Sequence, residues 1–239
     1  MILITMAGLS SRFFKAGYTV PKYALQIGGC SMFEWAIKTF EKYYASEFFV
    51  FVVRQDGFSQ EFVVNAANRL GINNYQIFCL DKETRGQAET AYIYLKEYSE
   101  DFPVLIFNID TIRFNYIKPL FINECDGYLE VFHGDGEHWS FVEPGPDQTV
   151  IRTTEKEKIS DLCSDGLYYF RSRLQFCSIF EQAIAADDKV KGEFYIAPLY
   201  NRLIDAGGVV KYELIGPEQI DFCGTPDEYE ALLKKKALA

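Results

Sequence analysis

The 239-residue sequence predicts an α/β protein in which a mostly parallel sheet is layered between helices, with a small antiparallel extension in its second half. Two observations predict it. Up to Asp110, short apolar runs alternate with segments of helical periodicity, the rhythm of strands joined by crossover helices. Beyond Ile117 that rhythm gives way to short strands separated by Gly, Pro and Asp turns.

Met1 to Met6 is a continuous apolar run ending in Ala7-Gly8, which reads as a buried strand and a turn, and a loop rich in Gly, Ser and Lys follows. Ser31 with Glu34 three positions later makes a capping box, and Phe33, Trp35, Ala36, Ile37 and Phe40 recur at helical spacing, so a helix is expected to about Tyr43. Phe48 to Val53 is rich in β-branched and aromatic residues and reads as a second buried strand. Ser59 to Leu70 is helical in pattern and stops at Gly71, a good C-terminal cap. A strand at Tyr75 to Leu80, a helix from about Gln87 to Tyr98 and a strand from Val104 to Ile109 complete the first half. The second half predicts strands at Tyr128 to His133, Trp139 to Glu143, Val150 to Thr153 and Leu167 to Phe170. Helices at Arg171 to Ala185 and Tyr195 to Ala206, a strand at Val209 to Leu214 and a helix from Thr225 follow. No repeat or linker interrupts the chain, so one domain is expected over 1–239.

A formal charge of −10 argues against a broad basic surface for nucleic acid or anionic lipid, while leaving room for a local cationic pocket. Six cysteines are scattered singly, most inside apolar runs, without the paired spacing of a zinc or redox site. No apolar stretch approaches the roughly 20 residues that span a bilayer. The expectation is a cytoplasmic protein with reduced thiols, no nucleic-acid partner and no membrane.

Ligands of such sheets bind beyond the carboxyl ends of the strands, and two unusual polar segments fall there. Ala7-Gly8-Leu9-Ser10-Ser11-Arg12, with Pro21-Lys22 further on, offers small residues whose backbone N–H groups can approach an oxyanion and two cations for phosphate. Its spacing is neither a Walker A loop nor the dinucleotide glycine fingerprint, and a Gly/Ser turn also serves as an ordinary strand-to-helix connection. Asn108-Ile109-Asp110 ends an apolar strand, where an acid either starts a turn or holds Mg²⁺. Gly86 and Gln87 open a helix. Thr225-Pro226-Asp227-Glu228 is a strong helix start. His133 and His138, with Asp135 and Glu137 between them, read as solvated turn residues rather than a metal cluster.

From residue 4 to residue 22 the chain resembles the sugar-1-phosphate nucleotidyltransferases (nucleoside-diphosphate-sugar pyrophosphorylases), whose signature is Ala-Gly-x-Gly-(Ser/Thr)-Arg followed by Pro-Lys. Ser10 stands where the signature has its second glycine. Weaker likenesses extend over nearly the whole length and imply a nucleotide-binding half over 1–116 and an acceptor-binding half over 117–239. The resemblance implies a Rossmann-like three-layer sandwich, the nucleotide-diphospho-sugar transferase fold. It implies that Ala7, Gly8, Ser10, Ser11, Arg12 and Lys22 bind the triphosphate, that Gly86 and Gln87 contact the nucleobase, and that Arg12, Lys22 and Asp110 are catalytic. Asp110, with Asp221 of the Asp221-Phe222-Cys223-Gly224-Thr225-Pro226 segment, is implied to hold Mg²⁺. Glu155, Lys156, Gly166, Glu193 and Tyr195 are implied to hold the acceptor, with Glu157-Lys158 a second Glu-Lys and Asp165 in a place often held by Thr.

The implied reaction is in-line attack of a phosphate oxygen, most simply that of a hexose or heptose 1-phosphate, on the α-phosphorus of a nucleoside triphosphate, releasing pyrophosphate. Both reactants are anionic, so positioning and charge neutralisation are what the catalyst must supply. Surface polysaccharide synthesis and a homodimer are family-level expectations. Cytidylyl transfer to phosphocholine or an alditol phosphate is a variant of this reading. A glycosyltransferase of the same fold is a rival that wants a closer acidic pair than Asn108-Ile109-Asp110 and has no need of Arg12 with Pro21-Lys22. A non-catalytic sensor would bind nucleotide without consuming it.

Overall fold

The computed structural model describes residues 1–237, and the side chains of 1–235. In chain order the strands are β1 (Ile2–Thr5), β2 (Gln26–Ile27), β3 (Cys30–Ser31), β4 (Phe49–Arg54), β5 (Tyr75–Leu80), β6 (Val104–Asn108), β7 (Thr111–Arg113), β8 (Gly127–His133), β9 (Ser140–Pro144), β10 (Val150–Glu155), β11 (Leu162–Phe170), β12 (Val210–Leu214) and β13 (Ile220–Phe222). The α-helices are α1 (Ser11–Lys15), α2 (Met32–Ile37), α3 (Phe58–Leu70), α4 (Gln87–Leu95), α5 (Arg173–Ala186), α6 (Leu199–Asp205) and α7 (Pro226–Ala237). This is the α/β fold with a mixed central sheet that the sequence predicts, with β2–β3 and β7–β13 as two small antiparallel ribbons. Among the described residues no helix is long and apolar enough to cross a membrane.

The chain packs as two compact units, each assembled from segments distant in sequence. Among the described residues one comprises 1–3, 83–107 and 118–216, the other 4–82, 108–117 and 217–237.

In the second of these, β4 and β5 run parallel in register from Phe49↔Tyr75 to Arg54↔Leu80, and the Met6 amide donates to Val52 O at 3.0 Å. All of Phe49 to Val53 is buried, as expected of a strand covered on both faces. Helix α2 starts at the capping box read from the sequence. Ser31 Oγ accepts from the Glu34 amide at 3.2 Å, and Glu34 Oε2 accepts from the Ser31 amide at 2.7 Å. The expected helix to Tyr43 continues past Ile37 only as 3₁₀ turns, with a break at Phe40 (φ −105°). Helix α3 stops at Gly71 in the left-handed region, with the Ile72 amide donating to Ala67 O at 3.0 Å.

Glu34 also accepts from Arg69 Nε at 2.8 Å. Burial pushes its carboxyl up, but the hydrogen bonds from Arg69 and Ser31 outweigh burial and hold it below the ordinary value. A carboxyl depressed on folding contributes stability above its unfolded pKa of about 4.3, and that contribution is lost as pH falls through the folded value. Glu34→Ala should therefore cost about 1–2 kcal/mol at neutral pH, with the gap to the unmodified chain closing in acid. Urea unfolding at pH 7 and below pH 4 measures it, and a deficit that is the same at both would contradict this account.

In the other unit β11 is central, antiparallel to β6 from Leu167↔Phe107 to Phe170↔Val104 and to β8 on its other side, with β12 parallel to β8. Strand β11 begins at Leu162, earlier than its apolar run at Leu167 suggests, because buried Ser164 and Asp165 hide its start. The register with β8 shifts between Ser164 and Tyr168, around Gly166 at φ +96°. Helix α5 opens at Ser172, whose hydroxyl accepts from the Gln175 amide at 3.0 Å. The next helix begins at Leu199, four residues later than expected, because Pro198 restricts the residue before it and suits a helix start.

Candidate active site

The residues expected to meet phosphate and metal all lie in the unit containing β4 and β5. After β1 the chain passes Ala7, exposed Gly8 and Leu9 and then Ser10, which takes the left-handed conformation (φ 53°, ψ 26°) that a glycine adopts without strain. The Ser10 hydroxyl accepts from the Lys22 amide at 3.1 Å, tying the two ends of the loop together. Ser11 opens the five-residue helix α1, which the sequence did not announce. Arg12 is exposed, and its guanidinium has no partner among the described residues. Phe13, on the inner side of α1, packs edge-on to Tyr18 and Tyr229 in a cluster with Leu25, Met32, Ile112 and Cys223, which fixes the loop to β7 and α7.

Lys22 Nζ lies 2.6 Å from Asp110 Oδ2, joining residues 88 positions apart in sequence, and both side chains remain about one-fifth to one-quarter exposed (19% and 26%). The short β7–β13 ribbon then brings the second acid near. Its register sets Asp221 opposite Ile112 and Phe222 opposite Thr111, and the Cys223 amide donates to Asp110 O at 2.9 Å. Cys223 is surrounded by charge. Burial first, then the Asp110 carboxylate, raise its thiol pKa, with Glu228 and Asp221 adding to the effect and Lys22 opposing it. It therefore stays a neutral thiol, and its Sγ lies 3.3 Å from Asp110 O.

Two observations test this corner against a divalent cation. Asp221 Oδ1 accepts from Lys235 Nζ at 2.6 Å, whereas its Oδ2 is buried without a hydrogen-bond partner among the described residues. A Cβ at position 224 would sit 2.9 Å from Asp110 Oδ2, so glycine leaves room at that carboxylate that no other residue would. Among the described residues no three His, Cys, Asp or Glu side chains gather to hold a metal by themselves. The orphaned carboxylate oxygen and the room beside Asp110 fit Mg²⁺, which takes one or two carboxylates and completes its shell with water and substrate phosphate.

The residues expected at the nucleobase and acceptor lie in the other unit. Gly86 has φ +124° and ψ 177°, a conformation open essentially to glycine alone, and its added Cβ would lie 2.4 Å from Phe194 O. The Ala88 amide donates to Phe194 O at 3.2 Å and the Phe194 amide to Arg85 O at 2.6 Å. The chain itself thus demands this glycine, and the contact brings Gly86 and Gln87 beside the Glu193–Tyr195 segment. Glu193 is exposed in a turn closed by reciprocal bonds with Val190, well before the start of α6.

Glu155, at the end of β10, is buried and accepts from Ser140 Oγ on β9. Lys156 takes φ +57°, lies 3.7 Å from Glu155 Oε1, donates to the Tyr195 hydroxyl and sits 4.2 Å over the Tyr195 ring. Glu157 and Lys158, the other Glu-Lys, are exposed. Buried Gly166 lies in the β11 bulge, flanked by Asp165, whose Oδ1 accepts from the Leu167 amide at 2.9 Å. His133 pairs with Asp161 at 2.8 Å on the surface, and His138 lies against Trp139. Sequence reasoning did not single out Ser140, Cys223 or Lys235. Hairpin register and helix docking bring them in, and neither has a local signal.

No protein-family profile matches the chain, and no curated protein matches it. Solved structures do. The inositol-1-phosphate CTP transferase of T. maritima is 17% identical, over 98% of this chain and 95% of that one, with TM-score 0.76. The CTP:phosphocholine cytidylyltransferase of Streptococcus pneumoniae is 18% identical, over 98% and 97%, with TM-score 0.69. These two share the fold, which is that of nucleotidyltransferases. The nucleoside-diphosphate-sugar pyrophosphorylase of Vibrio cholerae RC9 is 45% identical, over 98% of this chain and 100% of that one, with TM-score 0.94. The chain belongs to the nucleoside-diphosphate-sugar pyrophosphorylase family.

Proposed function

We propose that this enzyme transfers a nucleoside monophosphate from a nucleoside triphosphate to a sugar 1-phosphate, forming a nucleoside-diphosphate sugar and pyrophosphate. The observation that carries the reading is the 2.6 Å pair of Lys22 and Asp110 at the foot of a small-residue loop bearing the exposed Arg12. The 45% identical relative, a nucleoside-diphosphate-sugar pyrophosphorylase, supports it.

In this reading the backbone of Gly8 to Ser11 and the exposed Arg12 guanidinium receive the β and γ phosphates, and Lys22 turns from Asp110 to the α-phosphate. Asp110 and Asp221 would hold Mg²⁺, which when bound would supply Lewis-acid charge to the phosphates. Gln87 faces the nucleobase, with Gly86 fixing the start of α4. Lys156 meets the acceptor phosphate, and Glu155, with Gly166 and Glu193, meets its hydroxyls. Fixed charge and orientation do the work, and no covalent enzyme intermediate is required.

A matrix of the four common nucleoside triphosphates against hexose and heptose 1-phosphates, phosphocholine and alditol phosphates, with Mg²⁺ and a pyrophosphate readout, tests the proposal. A sugar 1-phosphate row is expected to dominate. Turnover confined to phosphocholine or an alditol phosphate would replace the acceptor class, and no pyrophosphate from any pair would remove the reaction. Omitting the metal should abolish release.

A further inference from the structure

The acceptor wall contains a hydroxyl that no role yet covers. Ser140 on β9 is the register partner of Glu155 on β10, and the Ser140 hydroxyl donates to Glu155 Oε2. Glu155 is a carboxylate only 7% exposed, so each of its oxygens needs a partner if the charge is to persist. Oε1 lies 3.7 Å from Lys156 Nζ, which is itself held by Tyr195.

We propose that Ser140 is a positioning residue for the transfer reaction: it holds one oxygen of Glu155 so that the other is presented, beside Lys156, to a hydroxyl of the acceptor. The inference rests on the reading of Glu155 as an acceptor contact. It assigns the acceptor a hydroxyl close to its phosphate, since Glu155 and Lys156 are neighbours in the chain and 3.7 Å apart at their charged ends. A sugar 1-phosphate carries such a hydroxyl, and phosphocholine does not.

The groups around Glu155 come from four segments: Ser140 on β9, its neighbour Lys156, Glu193 in the turn before Tyr195, and Tyr168 on β11, whose own hydroxyl is raised by burial and by Glu155. Burial raises the Glu155 pKa and Glu193 adds to that, while the Ser140 hydrogen bond and Lys156 oppose it. A carboxylate accepts from an acceptor hydroxyl and a protonated one competes for it, so acceptor use should fall as pH drops through this raised value. Removing the Ser140 hydroxyl raises the pKa further and moves the fall to higher pH. The acceptor phosphate also titrates, but identically against every variant.

The test compares Ser140→Ala with Ser140→Thr, which keeps a hydroxyl, and with Glu155→Gln. Kinetics use the sugar 1-phosphate that gives the fastest pyrophosphate release, and NMR follows the ¹³C-labelled glutamate carboxyls, with Glu155 assigned by its loss in Glu155→Gln. Ser140→Ala should lower kcat/KM for the acceptor about tenfold at pH 7, leave the triphosphate KM unchanged, and move both the acid limb and the Glu155 resonance upward by about one pH unit. Ser140→Thr should restore both. A Glu155 titration unmoved by Ser140→Ala overturns the positioning role, even where Glu155→Gln impairs the acceptor. Normal acceptor kinetics in Glu155→Gln overturn the underlying reading of Glu155 instead, and the inference with it.

Discussion

Asp110→Asn should reduce turnover by about 10²- to 10³-fold while shifting the melting temperature by no more than about 3 °C. The substitution keeps the size of the side chain and removes its charge. Its partner Lys22 is partly solvated, so losing the 2.6 Å ion pair costs the fold little. The reaction loses more. In the proposed mechanism Asp110 anchors the cation and keeps Lys22 in place until phosphate arrives, and the amide can do neither well. Lys22→Ala should be impaired to a similar extent, and the double variant should be less impaired than the product of the two, since the side chains act as a unit. Single-turnover pyrophosphate release with melting curves on the same samples decides it. Rates within a few fold of the unmodified enzyme in both single variants would refute the assignment.

Gly86→Ala should cost the fold about 3 kcal/mol or more, a fall in melting temperature of roughly 6–12 °C. Two effects combine. The backbone at φ +124° excludes an ordinary side chain, and the new methyl would meet Phe194 O at 2.4 Å. That neighbour is main chain and cannot rotate away. The two backbone bonds at Phe194 would have to stretch or break, disturbing the stretch from Glu193 to Tyr195 and with it the hydroxyl that holds Lys156. Calorimetry reads the first consequence and the acceptor KM the second. A melting temperature within 2 °C of the parent would show that this junction yields far more easily than its geometry implies.

Much of this was legible in the chain because its signals are local. Ser31 and Glu34 announce a helix start three residues apart, Gly71 announces a stop, and Phe48 to Val53 can only be a buried strand. What was not legible depends on pairing at a distance. Strands β7 and β13 have three residues each, too few to show a period, yet their register sets Asp221 opposite Ile112, two residues from Asp110. The start of β11 was hidden by Ser164 and Asp165, polar residues buried inside a strand. Helix α1 has only five residues and is held by Phe13 in a tertiary cluster, so its own sequence carries no amphipathic record. Resemblance put Arg12, Lys22 and Asp110 into one expected site, which spacing alone could not, and of these the structure joins Lys22 to Asp110. It had no bearing on Ser140 or Lys235, whose partners are set by hairpin register and helix docking.

Serine at position 10 has a consequence of its own. An L-residue held at φ 53° is strained by roughly 1 kcal/mol or more, yet its hydroxyl secures the Lys22 amide, a tether that glycine could not make. Torsional strain is thus exchanged for a loop closed in advance. Under the proposed function, an anion arriving there would meet a rim whose lysine already has its main chain immobilised, so less of its binding energy would be consumed in ordering the polypeptide, and the rim would respond to charge as a rigid frame.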